Sequence, residues 1–115
     1  MTTEAQIQDA IRLELGKVPD LVLWRNNVGI AEHWNGKSVD IVKYGLAPGS
    51  SDLIGLLGPR GRWIALEVKS ETGVASPEQM KFLRLVQRMG GFACIVRSVD
   101  EAVKALARAR AGSIE

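Results

Sequence analysis

The chain has one cysteine and one histidine among 115 residues, and these scarcities exclude several kinds of site at once. Cys94 has no second thiol to pair with, so an intrachain disulfide is ruled out and a reducing, cytoplasmic setting is expected. Cys94 and His33 alone cannot supply the thiolate and imidazole ligands of a zinc centre. No apolar run approaches the roughly 20 residues a membrane helix needs, and the N-terminus lacks a basic flank followed by an apolar stretch. Charge of one sign is scarce too. Fifteen Lys and Arg against 13 Asp and Glu leave a formal charge of +2, so bulk electrostatics neither demand nor exclude a nucleic-acid partner. There is no internal repeat and no low-complexity segment.

Hydrophobic residues make up 46% of the chain, enough for one small domain with its own core and too few residues for a second. A single domain is expected over residues 1–115, with 110–115 a frayed tail. Ile7, Ile11 and Leu15 recur every four positions after Thr3 and Gln6, a helix with a capping box that stops near Gly16. "LVLWRNNVG" and "KSVDIVKYG" read as two strands of a hairpin, joined by the polar loop around "AEHWNGK". The segment "LAPGSS" reads as flexible. "DLIGLLG" and "RWIALEVK" flank a Gly58-Pro59-Arg60-Gly61 turn and should pair antiparallel. Ser76, Pro77 and Gln79 open a second helix, "FACIVR" is a buried strand, and Ser98 with Glu101 caps a last helix. The order predicted is αββββαβα, a mixed α/β sheet flanked by helices.

The central hairpin carries the chemistry. If Gly58 faces Gly61, paired residue numbers sum to 119 and Asp52 falls opposite Glu67, Cβ atoms about 4.5–5.5 Å apart. Lys69, two residues past Glu67, lies on the same face. The rest of both strands is apolar, as expected of central strands covered on both sides. Facing carboxylates repel, so the pair needs a cation: Lys69, or a divalent ion that binds one or two carboxylates and keeps sites for water and phosphate. The alternative on spacing alone is a structural ion-pair cluster.

"GSSDLIG" followed by "WIALEVK" resembles the bipartite motif of the PD-(D/E)xK nuclease superfamily, with Asp52 as first acid and Glu67-Val68-Lys69 as ExK. "WRNNVG", "SPEQMKFLRLVQRMGG" and an N-terminal helix bearing Glu4 make the chain similar to the VRR-NUC branch over nearly its whole length. Ser51 stands where that family usually has proline, a difference of backbone shape rather than chemistry. The resemblance implies a restriction-endonuclease-like αβββαβ core and Mg²⁺- or Mn²⁺-dependent hydrolysis of DNA phosphodiesters. It implies Asp52, Glu67, the Val68 carbonyl and Glu4 as metal donors, and Lys69 as the residue that orients or activates water. Small stand-alone relatives resemble dimeric Holliday-junction resolvases, so a homodimer on four-way junctions is the expected form. The alternatives are a flap or single-strand-end nuclease, or a non-catalytic DNA-binding module with the same fold.

Other residues carry two readings each. Gln79 closes a capping box, and the resemblance also places a glutamine beside the metal. Glu4 is a first-turn acid suited to the helix dipole or an inward-facing donor, with Gln8 one turn on. Arg25, Asn26 and Asn27 end a strand, or contact phosphate and steady the acids. Arg60 and Arg62 flank the hairpin turn, and Lys81, Arg84 and Arg88 form a helix stripe. Each is a solvated charge or a DNA-backbone contact. Trp34 would stack on a base, or pack on a neighbouring strand or a partner subunit.

Overall fold

The computed structural model describes residues 2–115. Its elements run α1 (Glu4–Leu15), β1 (Leu21–Arg25), β2 (Gly29–Trp34), β3 (Val39–Tyr44), β4 (Leu53–Leu57), β5 (Arg62–Val68), α2 (Pro77–Arg88), β6 (Phe92–Val96) and α3 (Val99–Arg110). Four strands form one mixed sheet in the order β1-β4-β5-β6; β2 and β3 pair only with each other. β1, β4 and β5 are antiparallel neighbours, and β6 joins β5 in parallel through the α2 crossover.

Both faces of the sheet are covered. Leu53, Leu66, Val68 and Phe92 pack beneath α1 and α3, whose inward faces are Ile7, Ile11 and Leu15 on the first and Ala102, Ala105 and Ala109 on the second. The opposite face carries Ile54, Ala65 and Ala93 beneath Leu83 and Val86 of α2. Capping boxes start α1 and α2 with both arms present, Thr3 with Gln6 and Ser76 with Gln79. The local signals at these helix starts therefore act as expected.

Four expectations about the fold are corrected. "LVLWRNNVG" does not form a hairpin with "KSVDIVKYG": β1 ends at Arg25 and pairs with β4, Leu21 with Leu57 and Arg25 with Leu53. The approach is so close that a Cβ on Gly55 would lie 2.0 Å from the Val22 carbonyl oxygen, which fixes glycine there. "AEHW", expected as loop, is strand β2, because β3 supplies the backbone partners its polar residues did not advertise. One strand is thereby added to the predicted order.

"LAPGSS" is no loose linker, since Ser50 and Ser51 are buried. Gly49, at φ +83°, lies so close to Glu78 at the start of α2 that a Cβ would come within 2.6 Å of its backbone. The tail expected to fray is also tied down, because the Ala93 amide donates to the Ile114 carbonyl at 2.9 Å. Arg62 adds bonds to the Ala109 and Ser113 carbonyls at 2.7 and 2.6 Å. The tail returns along β6, whose outer edge would otherwise be unpaired.

Candidate active site

The β4–β5 register is the one that sums to 119, with Leu53 opposite Leu66, Ile54 opposite Ala65 and Leu57 opposite Arg62. One step beyond β4, Asp52 faces Glu67. The Asp52 carboxylate accepts the Val68 amide at 2.8 Å through Oδ2, so the acid is pinned across the strand end. Its own backbone is held from the other side: the Asn26 amide donates to the Asp52 carbonyl at 2.8 Å, and the Gln8 side chain reaches the same oxygen at 3.5 Å.

Glu67 is 1% exposed, an unusual position for a carboxylate. Its Oε1 accepts from Gln79 Nε2 at 2.9 Å and lies 3.8 Å from Lys69 Nζ, itself 9% exposed. Oε2 is buried with no hydrogen-bond partner, as is Ser51 Oγ. Burial, chiefly, raises the Glu67 carboxyl from 4.5 to about 8. The facing Asp52 carboxylate adds to this, Lys69 opposes it and Glu4 contributes a little. With both acids ionised neither can donate to the other. The pair is therefore costly unless a proton or a cation sits between them.

That electrostatic demand is the test of a metal's fit. A buried carboxylate oxygen without a donor, a second carboxylate facing it and the neighbouring Val68 carbonyl are hard oxygen donors of the kind Mg²⁺ or Mn²⁺ takes. Among the described residues no three His, Cys, Asp or Glu side chains converge as a ready-made metal cage. Two carboxylates suffice for an ion that retains water and leaves positions for phosphate. Glu4 consequently stands apart from Asp52 and Glu67 as a direct donor. Its carboxylate lies over Gly73 next to the Lys69 stem: a Cβ on Gly73 would be 3.1 Å from Glu4 Oε2 and 3.4 Å from Lys69 Cδ. Its reach is to the lysine side of the site.

The two readings of Gln79 turn out to be compatible. Its Oε1 accepts from the Ser76 amide at 2.8 Å while its Nε2 holds Glu67, so one side chain starts α2 and orients the acid. Asn26, read from sequence as a strand end or a group that steadies the acids, braces the turn before the first of them, and Arg97 is not singled out by sequence. Asn26 donates from Nδ2 to Ser50 Oγ at 2.7 Å and to the Ser51 carbonyl at 3.0 Å, clamping the turn that leads into Asp52. Arg97 donates from Nη1 to the Ser70 and Gly73 carbonyls, both at 2.7 Å, and shapes the loop after Lys69. The doubled asparagine was the only signal for the first; nothing local announced the second.

The basic residues separate into two groups. Arg25, at the β1 end paired with Leu53, and the exposed Asn27 lie on the rim beside Asp52. Lys81 and Arg84 are exposed on α2, the helix that begins at the site. Arg60 and Arg62 sit at the turn end of β4–β5, across the length of the sheet from Asp52. The Arg62 guanidinium is occupied by the Ala109 and Ser113 carbonyls, which corrects its assignment as a nucleic-acid contact. Cys94 is no nucleophile in waiting, since burial pushes its thiol up to about 11.

The sequence pattern of the VRR-NUC domain family matches residues 3–100. A solved structure described as a VRR-NUC domain is similar in fold, with a TM-score of 0.63 at 20% identity over 93% of this chain and 97% of its own. No curated protein matches. A mixed sheet between helices, with Asp52 facing Glu67-Val68-Lys69 at one end, is thus what a nuclease-type DNA-processing fold looks like in this sequence, and the chain belongs to the VRR-NUC domain family.

Proposed function

We propose that the protein is an Mg²⁺- or Mn²⁺-dependent endodeoxyribonuclease that acts as a homodimer on four-way DNA junctions. The observation that carries the chemistry is the buried Glu67, one oxygen held by Gln79 and the other without a donor, facing Asp52. Asp52, Glu67 and the Val68 carbonyl would hold the ion, which when bound supplies positive charge to offset the charge developing on the phosphate. Gln79 fixes the Glu67 carboxylate in one orientation, so its free oxygen is aimed before substrate arrives.

Lys69 Nζ lies on the same face as the two acids and orients the attacking water toward phosphorus. The water oxygen bonds to phosphorus as the bond to the leaving sugar oxygen breaks on the opposite side. Glu4, whose carboxylate lies over Gly73 near the Lys69 stem, adds negative charge on the lysine side of the site. Arg25 and Asn27 on the near rim, with Lys81 and Arg84 on α2, meet the DNA backbone, whose phosphates dominate affinity. Arg60, at the far end, does not.

The test is cleavage of labelled four-way junction, flap and plain duplex with Mg²⁺, Mn²⁺ or EDTA. Metal-dependent cutting of the junction, with flap and duplex much slower, is expected. Preferred cutting of the flap would replace the junction reading and leave the chemistry intact. Absence of metal-dependent cleavage on all three would leave only a DNA-binding role.

A further inference from the structure

Lys69 must hold its ammonium in one place, yet little that meets the ammonium itself can fix it. The stem is long and flexible. Its one salt-bridge partner among the described residues, Glu67 Oε1, lies 3.8 Å from Nζ, beyond hydrogen-bond length. The position of Nζ therefore depends on what encloses the stem. Lys69 follows β5 directly and leads into a turn at 70–73, closed by the Gly73 amide donating to the Ser70 carbonyl at 3.2 Å. This turn folds back over the lysine: a Cβ on Gly73 would sit 3.4 Å from Lys69 Cδ and 3.1 Å from Glu4 Oε2. The Gly73 backbone is one wall of the channel in which the stem lies.

The turn has little of its own to hold it. Glu71 and Thr72 are exposed, and beside them an open cleft of about 540 Å³ separates α1 from the start of α3, lined by Gln6, Ile7, Glu71, Arg97 and Val99. Arg97 is the tie. It follows Val96, whose carbonyl accepts the Lys69 amide at 3.1 Å, so it stands next to Lys69 across the β5–β6 ladder. Its Nη1 donates to the Ser70 and Gly73 carbonyls, the first and last of the turn, both at 2.7 Å. Bonds from a charged donor at this length are the strong ones. The Arg97 amide in turn donates to Glu101 Oε1 in the first turn of α3 at 3.3 Å. One guanidinium thus fastens both ends of the turn to the sheet and to α3.

We infer that Arg97 is a positioning residue for Lys69: by clamping Ser70 and Gly73 it fixes the wall against the lysine stem, and so sets where Nζ stands relative to Glu67 and the attacked phosphate. Its consequence for cleavage rests on the nuclease reading; the mechanical link to Lys69 does not. Among the described residues Arg97 bonds to neither Asp52 nor Glu67, so its influence on the reaction runs through the lysine. A misplacement of about 1 Å at a reacting group is enough to cost about 100-fold in rate.

The test is single-turnover cleavage of labelled four-way junction with Mg²⁺, at a temperature where every variant is folded. Arg97→Met, which keeps the bulk of the stem and removes the donors, should lower the rate constant roughly 10- to 100-fold while junction Kd stays within about twofold. Arg97→Lys, whose ammonium can also serve two carbonyls, should recover most of that loss. In a Lys69→Ala background Arg97→Met should add no further loss, because the residue through which it acts is gone. Equal losses in both backgrounds, or a raised Kd with an unchanged rate, would overturn the inference. A second readout needs no activity: ¹³C relaxation of the Lys69 side chain should show a rigid stem in the wild type and a mobile one in Arg97→Met. Unchanged Lys69 mobility would sink the inference even if cleavage fell. A wild type that cuts no substrate with either metal would refute the nuclease reading, and the relaxation result would then decide the Arg97 link by itself. Should Arg97→Met fail to fold, Gly73→Ala keeps the clamp and crowds Lys69 Cδ from the same wall. It should slow cleavage with Kd unchanged, and an unaltered rate would count as refutation.

Discussion

The two β-systems of this molecule have similar apolar content and opposite fates. β4 and β5 are enclosed by α1 and α3 on one face and α2 on the other, so their apolar side chains form the core and their ends hold Asp52, Glu67 and Lys69. The β2–β3 ribbon has neither a helix nor a third strand, and its isoleucines, valines and Trp34 face solvent. The comparison teaches that apolar residues in strands do not by themselves say what they are buried against. In the sheet, burial raises the electrostatic stakes of two acids until the pair is costly without a proton or a cation between them. In the ribbon, lack of burial leaves the same kinds of side chain on the surface.

The largest effect that can break this contrast lies at the acids. Glu67→Ala or Lys69→Ala should lower junction cleavage by roughly 10³-fold or more, in line with removal of a preorganised catalytic group, while junction binding stays measurable. Loss of folding in both variants would make the cluster structural instead.

Next in size is the pH dependence of metal-free stability. Glu67 titrates near 4.5 when unfolded and near 8 when folded, so between these values the native state binds the extra proton. Stability is then fully present below about 4.5 and is lost as pH rises through 8, by roughly 3–5 kcal/mol at most. Thermal melts in EDTA should show the midpoint falling over this window. Glu67→Gln should flatten the curve, and added Mg²⁺ at pH 8 should raise the midpoint of the wild type. A flat wild-type curve would contradict the buried-acid picture.

Gln79→Ala should cost about 10- to 100-fold in cleavage, as expected for loss of a group that orients a metal ligand. Because the same residue caps α2, the melt of this variant should drop by only about 1 kcal/mol. Gln79→Glu, which keeps the cap acceptor but cannot donate to Glu67, should lose cleavage to a similar degree. The smallest effect concerns the far end of the sheet. Arg62→Ala should destabilise the fold by about 2 kcal/mol through its lost carbonyl bonds. Its affinity for DNA at a temperature where it is folded should be unchanged. A fall in affinity comparable to that of Arg25→Ala would return Arg62 to the nucleic-acid face.

Local signals proved the most legible part of the fold. Thr3 with Gln6 and Ser76-Pro77 with Gln79 mark helix starts because a cap is satisfied within four residues, whatever the rest of the chain does. The Gly58–Gly61 turn fixed the β4–β5 register for the same reason, and with it the facing of Asp52 and Glu67. Non-local pairings were hidden. β1 looked like the first half of a hairpin with its neighbour, and only the assembled sheet shows that it crosses to β4. Arg62 looked like a free charge beside a turn until the C-terminal carbonyls came to meet it.

The sequence by itself thus determined the helix starts, the central hairpin and the two acids with their lysine, since each depends on spacing over a few residues or across one tight turn. Tertiary structure alone decided that Glu67 is sealed from water, that Gln79 reaches it from a helix twelve residues away, and that Asn26 and Arg97 brace the loops around the site. It also decided that β2 and β3 stand clear of the core. Burial and long-range hydrogen bonds are properties of packing, and packing is set by every element at once.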